Sequence, residues 1–301
     1  MPVEVSKPSL APEVVPSAAP APNGMKAAAA ASNLSPLLNT KMSDLWRFRQ
    51  LTVLMVRRDL LGRYRGSLLG SFWPLINPAG HLLLYTFLFS VVLKVKFGDT
   101  PGTGNFALCL MTGLIPWGAF AESIARSTTV ILENPNLVKR VVFPLEILPL
   151  VTVISSFFSQ GLALLILVAA VVISLGTVHA SFVYLPLISA SLLIFTCGVS
   201  WFLSSLGVFV RDTRHFMSLA LSAWMYGTPI VYPESALPES FRWISIMNPM
   251  SGIVSDYRRV LLEGLPPDWS RFATYTLVGL VAWFAGYYFF SKTKKTFIDV
   301  M

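Results

Sequence analysis

Six long apolar runs follow one another along the chain, beginning at residue 72. A hydrocarbon core about 30 Å thick takes about 20 helical residues to cross, and each run reaches or approaches that length. The runs cover residues 72–93, 106–124, 147–175, 182–210, 216–232 and 272–290. The fifth is the shortest and carries Gly227 and Pro229 near one end, where protein or water must satisfy the freed backbone groups. The pattern predicts an all-α polytopic membrane protein with six transmembrane helices.

A basic amphipathic segment precedes the first run, at residues 45–61. On a helix its apolar residues share one face, and they are Leu45, Phe48, Leu51 and Met55. Its polar residues lie broadly opposite, and they are Arg47, Gln50, Arg57 and Arg58. Leu54 falls among the polar positions, so the two faces are not fully separated. The pattern predicts an interface helix lying on the membrane surface, with a basic anchor that only sets topology as the alternative.

The stretch between the fifth and sixth runs is too long and too apolar for an ordinary loop. Residues 241–247 and 250–262 each have the length of a short helix, and Asn248-Pro249 breaks the chain between them. Segments this short cannot cross a bilayer. We expect them to be short re-entrant helices on the outer face, or a peripheral cap packed on the bundle.

Residues 1–40 differ from the rest of the chain, because they are rich in Pro and Ala and almost free of bulky apolar residues. Such a composition cannot build a core, and its repeated prolines interrupt the apolar stretch that a signal peptide needs. We expect a disordered cytoplasmic tail. The predicted organisation is a tail at 1–40, the interface helix and a linker at 41–66, and a six-span transmembrane domain at 67–301.

Composition supports the membrane assignment, since 54% of the residues are hydrophobic and 13% are charged. The formal charge of +8 could suggest a nucleic-acid partner, but the basic residues are dispersed at the ends of apolar runs, which argues against one. With the N-terminus inside, 17 of the 23 Lys and Arg residues fall on the cytoplasmic side and 6 on the other. Both termini are therefore expected in the cytoplasm.

The sequence lacks recognisable nucleotide-binding and metal-binding motifs. It contains neither a phosphate-binding loop nor a metal-binding motif, so we expect no ATP or metal site on this chain. Cys109 and Cys197 fall inside apolar runs and are expected to be small buried residues. His81 lies in the first run, where a neutral hydrogen-bonded histidine is commoner than a functional one. Glu122 and Glu146 lie at span ends, where we expect water to solvate them, so coupling to protons or ions is not indicated.

Several short motifs occur in a fixed order. They are RRDLLGRYRGSLLGSFWPLINP at 57–78, GLIPW at 113–117, ENPNLVKRVVFPLEILPL at 133–150, VFVRD at 208–212, TPIVYP at 228–233 and WISIMNP at 243–249. From about residue 45 onward the chain resembles the permease subunit of ABC-2 type polysaccharide exporters, the family that moves O-antigens, capsules and teichoic acids. The resemblance implies a homodimer in the bacterial inner membrane, working with two copies of a separate ATPase. That ATPase would carry the ATP and Mg, with no cofactor on this chain.

In such an exporter two cytoplasmic regions would contact the ATPase. The resemblance implies a coupling helix at about 127–138, with Glu133, Asn134 and Asn136 as candidate polar contacts. Arg211 and Asp212 match the second cytoplasmic loop, with a salt bridge that closes a helix end as the alternative. Other implied partners are membrane lipids, the lipid-linked polysaccharide and periplasmic export proteins.

A lipid-linked glycan requires a cation for its phosphate and a wet, aromatic path for its sugars. Arginine binds phosphate through two parallel hydrogen bonds, and the candidates are Arg57, Arg58, Arg63 and Arg65. Aromatic rings pack on the C–H faces of sugars, and the candidates are Trp73, Trp117, Phe120, Trp224, Tyr226 and Tyr232. An interfacial belt of Trp and Tyr is the alternative for those near span ends.

Other function classes stay open at this point. An ABC-2 exporter of a drug or of another lipid would share this topology. A membrane-embedded glycosyl- or acyltransferase would need acidic residues or histidines clustered at one membrane face. The nearest such cluster is Asp256, Arg258, Arg259 and Glu263. Its spacing is more typical of the solvated face of a short helix.

Overall fold

The computed structural model describes residues 46–63, 66–94, 106–139 and 143–297. These residues form helices and turns, and none of them lies in a β-strand. They all belong to one unit, Thr40–Met301. The predicted tail at 1–40 and the candidate Arg65 lie outside the described residues. The all-α fold class is confirmed for the described part of the chain.

The helices are numbered in chain order. They are α1 Arg49–Arg63, α2 Trp73–Tyr85, α3 Phe106–Ser127, α4 Pro135–Val138, α5 Ile147–Leu175, α6 Leu185–Phe209, α7 Thr213–Tyr226, α8 Arg242–Met247, α9 Pro249–Arg258 and α10 Trp269–Thr293. Short 3₁₀ turns lie at Gly70–Phe72, Ala180–Tyr184, Glu234–Ala236, Glu239–Phe241 and Lys294–Thr296. π-Helical turns extend α2 over Thr86–Val92 and α9 over Arg259–Glu263. The predicted interface helix corresponds to α1, and the two short predicted helices correspond to α8 and α9.

Four helical stretches of the described residues are long and apolar enough to cross a membrane. They are Phe106–Ser127, Ile147–Leu175, Ala180–Phe209 and Trp269–Thr296. The first and fifth predicted spans correspond to α2, with 13 residues, and α7, with 14 residues. α7 ends at Tyr226 because Gly227 and Pro229 follow it, and a proline disfavours helical geometry in the residue before it. The six-span topology therefore stays a prediction.

Local sequence explains where several helices begin and end. Asn248 caps α9, because its Oδ1 accepts the N–H of Met250 at 3.0 Å while Pro249 occupies the first helical position. Asp268 caps α10 in the same way, by accepting the backbone N–H two residues on at 3.1 Å. Gly176 ends α5 in the left-handed conformation, with φ 67°. The predicted break at Asn248-Pro249 is confirmed.

α3 is the most deeply buried of the long helices. α5, α6, α7 and α9 all pack against it, and most of its residues are removed from the surface. A second apolar cluster forms beneath α1, around Met55 and Trp201. Cys109 and Cys197 are buried free thiols, as the sequence predicted.

α6 and α10 touch through their backbones. Gly198 of α6 lies against the main chain of Ala282 and Trp283, and Gly286 of α10 lies against the carbonyl oxygen of Gly198. A Cβ atom added at either glycine would overlap main-chain atoms of the other helix. Small residues at such crossings allow helices in membranes to pack closely. The two glycines therefore fix the position of α10 on α6.

A buried ion pair joins the start of α5 to the turn that follows α10. Glu146 is fully buried, and the Nζ of Lys294, a residue 5% exposed, donates to its Oε1. The indole N–H of Trp201 donates to the carbonyl oxygen of Glu146 at 3.0 Å. The expectation that water solvates Glu146 is wrong, because Lys294 returns from 148 residues later in the sequence to cover it.

Candidate functional site

The exposed side of α7 mixes polar and small residues with two large apolar ones, Phe216 and Leu219, which are 69% and 72% exposed. Along the middle of this side runs a row that we call the polar face, which recurs at helical spacing and comprises His215, Ser218, Leu219, Ser222, Ala223 and Tyr226. The opposite side of α7 buries Thr213, Met217 and Leu221, where the helix packs on α3 and α6. The exposed side of α10 is different, and its large apolar residues include Leu277, Val278, Leu280, Val281, Phe284 and Tyr288. Lipid favours the α10 pattern, whereas the polar face suits water or protein.

Trp117 and Phe120 lie in an aromatic cluster between α3, α6 and α7. Phe120 stacks on Phe195, with ring centroids 5.5 Å apart and 9° between the planes. Trp224 meets Phe120 edge-on at 5.1 Å and Trp117 at 6.3 Å. Trp117 is 5% exposed and Phe120 is fully buried, so both pack the core in this conformation. Their part in a sugar-conducting path stays a prediction.

The other aromatic candidates lie nearer the surface. Tyr226 is 67% exposed at the end of α7. The hydroxyl of Tyr232 donates to the carbonyl oxygen of Tyr226 at 2.7 Å. Trp73 is half-buried at the start of α2 and donates its indole N–H to the hydroxyl of Ser67 at 2.7 Å. Of the six aromatic candidates, Tyr226 is the one that belongs to the polar face.

Two residues from the α8–α9 segment hold the end of α7. Asn248 accepts the indole N–H of Trp224 at 2.9 Å and donates to the hydroxyl of Thr228 at 2.9 Å. Arg258 donates to the carbonyl oxygens of Pro229 and of the next residue, at 2.6 Å each. The two bonds from Arg258 satisfy backbone carbonyl groups that are freed where α7 ends. A movement of α8 and α9 would therefore carry the end of α7 with it.

The charged cluster of α9 is not a solvated helix face. Asp256 is fully buried and accepts the hydroxyl of Tyr275 and the backbone N–H of Asp268, both at 2.9 Å. Burial raises the pKa of Asp256, although these hydrogen bonds and the charge of Arg259 oppose the shift. Arg258 is 9% exposed. The predicted solvated face is wrong for Asp256 and Arg258, because α10 and the end of α7 cover them.

Four charged side chains join α1 to α3, and we call Asp59, Arg63, Glu122 and Arg126 the charge cluster. Asp59 accepts from Arg126 at 2.6 Å and from Arg63 at 3.2 Å. Arg63 also donates to Glu122 at 2.5 Å. A further contact from Arg63 reaches Ser156 of α5 at 3.4 Å. The charge cluster therefore ties α1 to two of the long helices.

The surroundings of Asp59 in the charge cluster favour its ionised form. Burial alone would raise the pKa of Asp59, but the hydrogen bond and charge of Arg126, together with the charge of Arg63, outweigh burial and lower it. Asp59 therefore stays ionised at neutral pH. The ion pair between Asp59 and Arg126 should weaken only when the pH falls below the ordinary range of an aspartate.

The four arginines predicted to bind phosphate differ in their exposure and in their contacts. Arg57 and Arg58 are exposed on α1. Arg63 is only 16% exposed and its guanidinium contacts two carboxylates. Arg65 lies outside the described residues. An incoming phosphate would meet Arg57 and Arg58 without displacing a carboxylate, and the phosphate role of all four stays a prediction.

The predicted coupling region at 127–138 is a turn followed by the single-turn helix α4. Glu133 is exposed and accepts the hydroxyl of Thr129 at 2.7 Å. Asn134 donates to the carbonyl oxygen of Val130 at 2.8 Å, and Asn136 is exposed on α4. This loop and α1 line a common cavity of about 110 Å³. The loop is therefore placed to act on α1.

Arg211 and Asp212 lie between α6 and α7, and both are exposed. Asp212 occupies the N-cap position of α7, but its side chain caps no backbone N–H there. Within the described residues the two side chains form no ion pair with each other. They are thus accessible to a partner, and their part in coupling stays a prediction.

Sequence reasoning missed most of the polar face and most of the charge cluster. The signal for the polar face was present, since Ser218, Ser222 and Tyr226 recur at helical spacing inside the fifth apolar run. The signal for the charge cluster was weaker, because Asp59 and Arg63 form a pair four residues apart but Arg126 is 67 residues from Asp59.

Comparisons with known proteins agree on one family. The family described as ABC-2 type transporter matches residues 50–262. The chain is 32% identical over 256 residues to the O-antigen export system permease protein RfbA of Klebsiella pneumoniae, which covers 83% of this chain and 95% of that protein.

Two further relatives are similar over most of the chain. The O-antigen export system permease protein RfbA of Myxococcus xanthus is 30% identical over 260 residues, covering 85% of this chain and 97% of that protein. The polysialic acid transport protein KpsM of Escherichia coli is 24% identical over 213 residues, covering 69% of this chain and 79% of that protein. The predicted family is confirmed, and the chain belongs to the membrane proteins of the ABC-2 type transporters.

Proposed function

We propose that the chain is the transmembrane subunit of an ATP-driven exporter that moves a lipid-linked polysaccharide from the cytoplasm across the bacterial inner membrane. The cargo class comes from relatives that are named for O-antigen export and polysialic acid transport. The observation that carries the proposal is the polar face of α7, on a helix packed against two long apolar helices. In a homodimer, two polar faces turned toward each other would line a path that water and sugars can occupy.

The proposal includes six crossings with both termini in the cytoplasm. Four crossings would be the long apolar stretches, and α2 with its π-helical extension and α7 would supply the other two. The bias of basic residues toward one set of loops supports this orientation. α8 and α9 would then lie on the outer side, as re-entrant helices at the exit.

A separate ATPase would drive export, with two copies bound to the homodimer and ATP and Mg held there. The exposed side chains of Glu133 and Asn136 support a docking role for the loop that follows α3. The charge cluster connects the end of α3 to α1. A displacement of this loop by the ATPase would therefore be transmitted through the charge cluster to α1.

Reversing one charge in the charge cluster should weaken the connection between α3 and α1. Arg126→Asp places a third carboxylate beside Asp59 and Glu122, so the attraction between Asp59 and residue 126 becomes a repulsion while the pair of Arg63 with Glu122 remains. We expect export to fall roughly tenfold, which corresponds to about 1.4 kcal/mol. The double variant Asp59→Arg with Arg126→Asp restores an opposite pair and should recover part of the loss. The measurement is surface glycan per amount of permease in the membrane.

The control for charge reversal is Arg242→Asp. Arg242 forms an ion pair with Glu239 at 3.6 Å, and its side chain is 55% exposed, so breaking this pair should leave export unchanged. Equal losses in Arg126→Asp and Arg242→Asp, with no recovery in the double variant, would argue against the coupling role.

The cation for the lipid-linked phosphate would be Arg57 or Arg58. Both are exposed on α1, which would lie at the cytoplasmic leaflet in the proposed topology. A guanidinium binds a phosphate through paired hydrogen bonds, and neither arginine forms an ion pair with a described carboxylate. The aromatic contact to the sugars would begin with Tyr226 on the polar face.

Changing the polar face should reduce export without changing the amount of protein. Tyr226→Ala removes an exposed ring, and Ser222→Leu makes the middle of the face apolar, so we expect severalfold less surface glycan in each. Tyr288→Ala is the matched control, because Tyr288 is 60% exposed on the apolar side of α10, close to the 67% of Tyr226. Equal export in all three variants would remove α7 from the path.

Deleting the gene from its native host tests the function itself. We expect surface polysaccharide to disappear and lipid-linked polysaccharide to accumulate inside the cell, with both effects reversed by a plasmid copy. Unchanged surface polysaccharide would contradict the proposed cargo. An increase in drug sensitivity alone would favour a drug exporter.

A further inference from the structure

An apolar groove of about 380 Å³ lies between α1 and α5. Val53 and Leu61 of α1 form one side, and Phe158 and Leu162 of α5 form the other. Val53, Leu61 and Phe158 are each more than half exposed, at 66%, 57% and 56%. Arg57 also lines the groove and brings a positive charge to it. The groove therefore suits a hydrocarbon chain that carries an anionic group.

A second cavity, of about 360 Å³, adjoins the groove, and Pro74 at the start of α2 lines both. Its walls come from α1, α2, α3 and α5. Arg63 and Glu122 of the charge cluster line it, and so do three further polar residues, Asn77, His81 and Gln160. Among the described residues, none forms a hydrogen bond with these three side chains. Hydrocarbon cannot pair an amide or an imidazole, whereas a ligand rich in hydroxyl groups can.

We propose that the groove and this adjoining cavity together bind the lipid-linked glycan before export. The hydrocarbon chain would lie in the groove, and the sugar next to the phosphate would occupy the adjoining cavity. This inference rests on the proposed function, because it locates the substrate of that function. The surfaces match the parts of the ligand, with apolar walls for the chain, Arg57 for the phosphate, and amide and imidazole groups for the sugar hydroxyls.

The adjoining cavity is the reason for choosing a glycolipid over an ordinary phospholipid. A phospholipid could also place a chain in the groove and its phosphate on Arg57. It would bring no sugar, so Asn77, His81 and Gln160 would meet water in place of a bound ligand. A glycolipid satisfies both surfaces at once, and Pro74, which lines both cavities, puts them next to each other.

Photocrosslinking in the native membrane tests the assignment. Phe158 is replaced by p-benzoylphenylalanine in the full chain, in cells that contain the partner ATPase and synthesise the glycan. After irradiation we expect an adduct on the permease whose mass equals a lipid chain with phosphate and sugar. The matched control is the same replacement at Phe284, which is 59% exposed on α10 and lines neither cavity. That position should carry phospholipid adducts only.

Substitutions in the two cavities give the second readout. Arg57→Gln and Gln160→Leu should each lower the glycolipid adduct at position 158 severalfold. Arg49→Gln should leave it unchanged, since the Arg49 guanidinium lies over the ring of Trp46, 5.4 Å from its centroid, and does not line the groove. Phospholipid adducts alone at position 158, in cells that still export glycan, would overturn the inference and leave the proposed function intact. Cells whose surface glycan does not depend on the permease would instead refute the proposed function.

Discussion

Gly286→Val is expected to prevent the transmembrane helices from assembling. A side chain at this position would overlap the carbonyl oxygen of Gly198, a main-chain atom that cannot rotate away. Overpacking in a core usually costs about 1–3 kcal/mol, and a backbone contact places this variant at or above that upper limit. We expect loss of the monodisperse peak in size-exclusion chromatography in mild detergent, together with low abundance in the membrane.

The matched control is Gly161→Val in α5. It makes the same change inside a long helix, but a Cβ at Gly161 meets no atom within 4 Å. Gly161→Val should therefore elute and melt close to the wild-type protein. If Gly286→Val behaved in the same way, the close crossing of α6 and α10 would be incorrect.

Glu146→Gln is expected to produce the second large loss of stability. It leaves Lys294, a residue 5% exposed, without the carboxylate that balances its charge. Breaking one side of a buried ion pair typically costs about 3–5 kcal/mol. A thermal unfolding curve in detergent should show a clear downward shift of the melting temperature, and Lys294→Met should show a similar one.

The double variant Glu146→Leu with Lys294→Met distinguishes a buried pair from a surface one. Replacing both partners of a buried pair by apolar residues is often close to neutral, so most of the single-variant loss should be recovered. Glu239→Gln is the exposed control, since the side chain of Glu239 is 88% exposed, and it should melt like the wild type. Additive losses in the double variant would contradict the buried pair.

Apolar periodicity predicted the long helices well, because each is a nearly continuous hydrophobic run with clear terminators. The third run matches α5 at both ends, where Gly176 follows in a left-handed turn. The prediction for α7 was less accurate. The predicted span of 216–232 extended past Gly227 and Pro229, which end the helix at Tyr226. Those two residues were visible in the sequence, so local chemistry outweighed hydropathy there.

Long-range contacts explain what the sequence did not predict. Glu146 and Asp256 were expected in water, but Lys294 and Tyr275 cover them in the fold. A carboxylate near a span end looks the same in a single sequence whether it is solvated or paired. The polar groups that line the proposed glycolipid site come from α1, α2, α3 and α5, and only the packing of those helices brings them together.

Co-purification with ATP hydrolysis tests the central claim most directly. The tagged chain would be purified from its native membrane in mild detergent, its companions identified by mass spectrometry, and its ATP hydrolysis measured. The account predicts an ATPase subunit in equal amount, with hydrolysis abolished by a substitution in the phosphate-binding loop of that partner. A chain that purifies with no nucleotide-binding partner and without ATP hydrolysis would contradict the account.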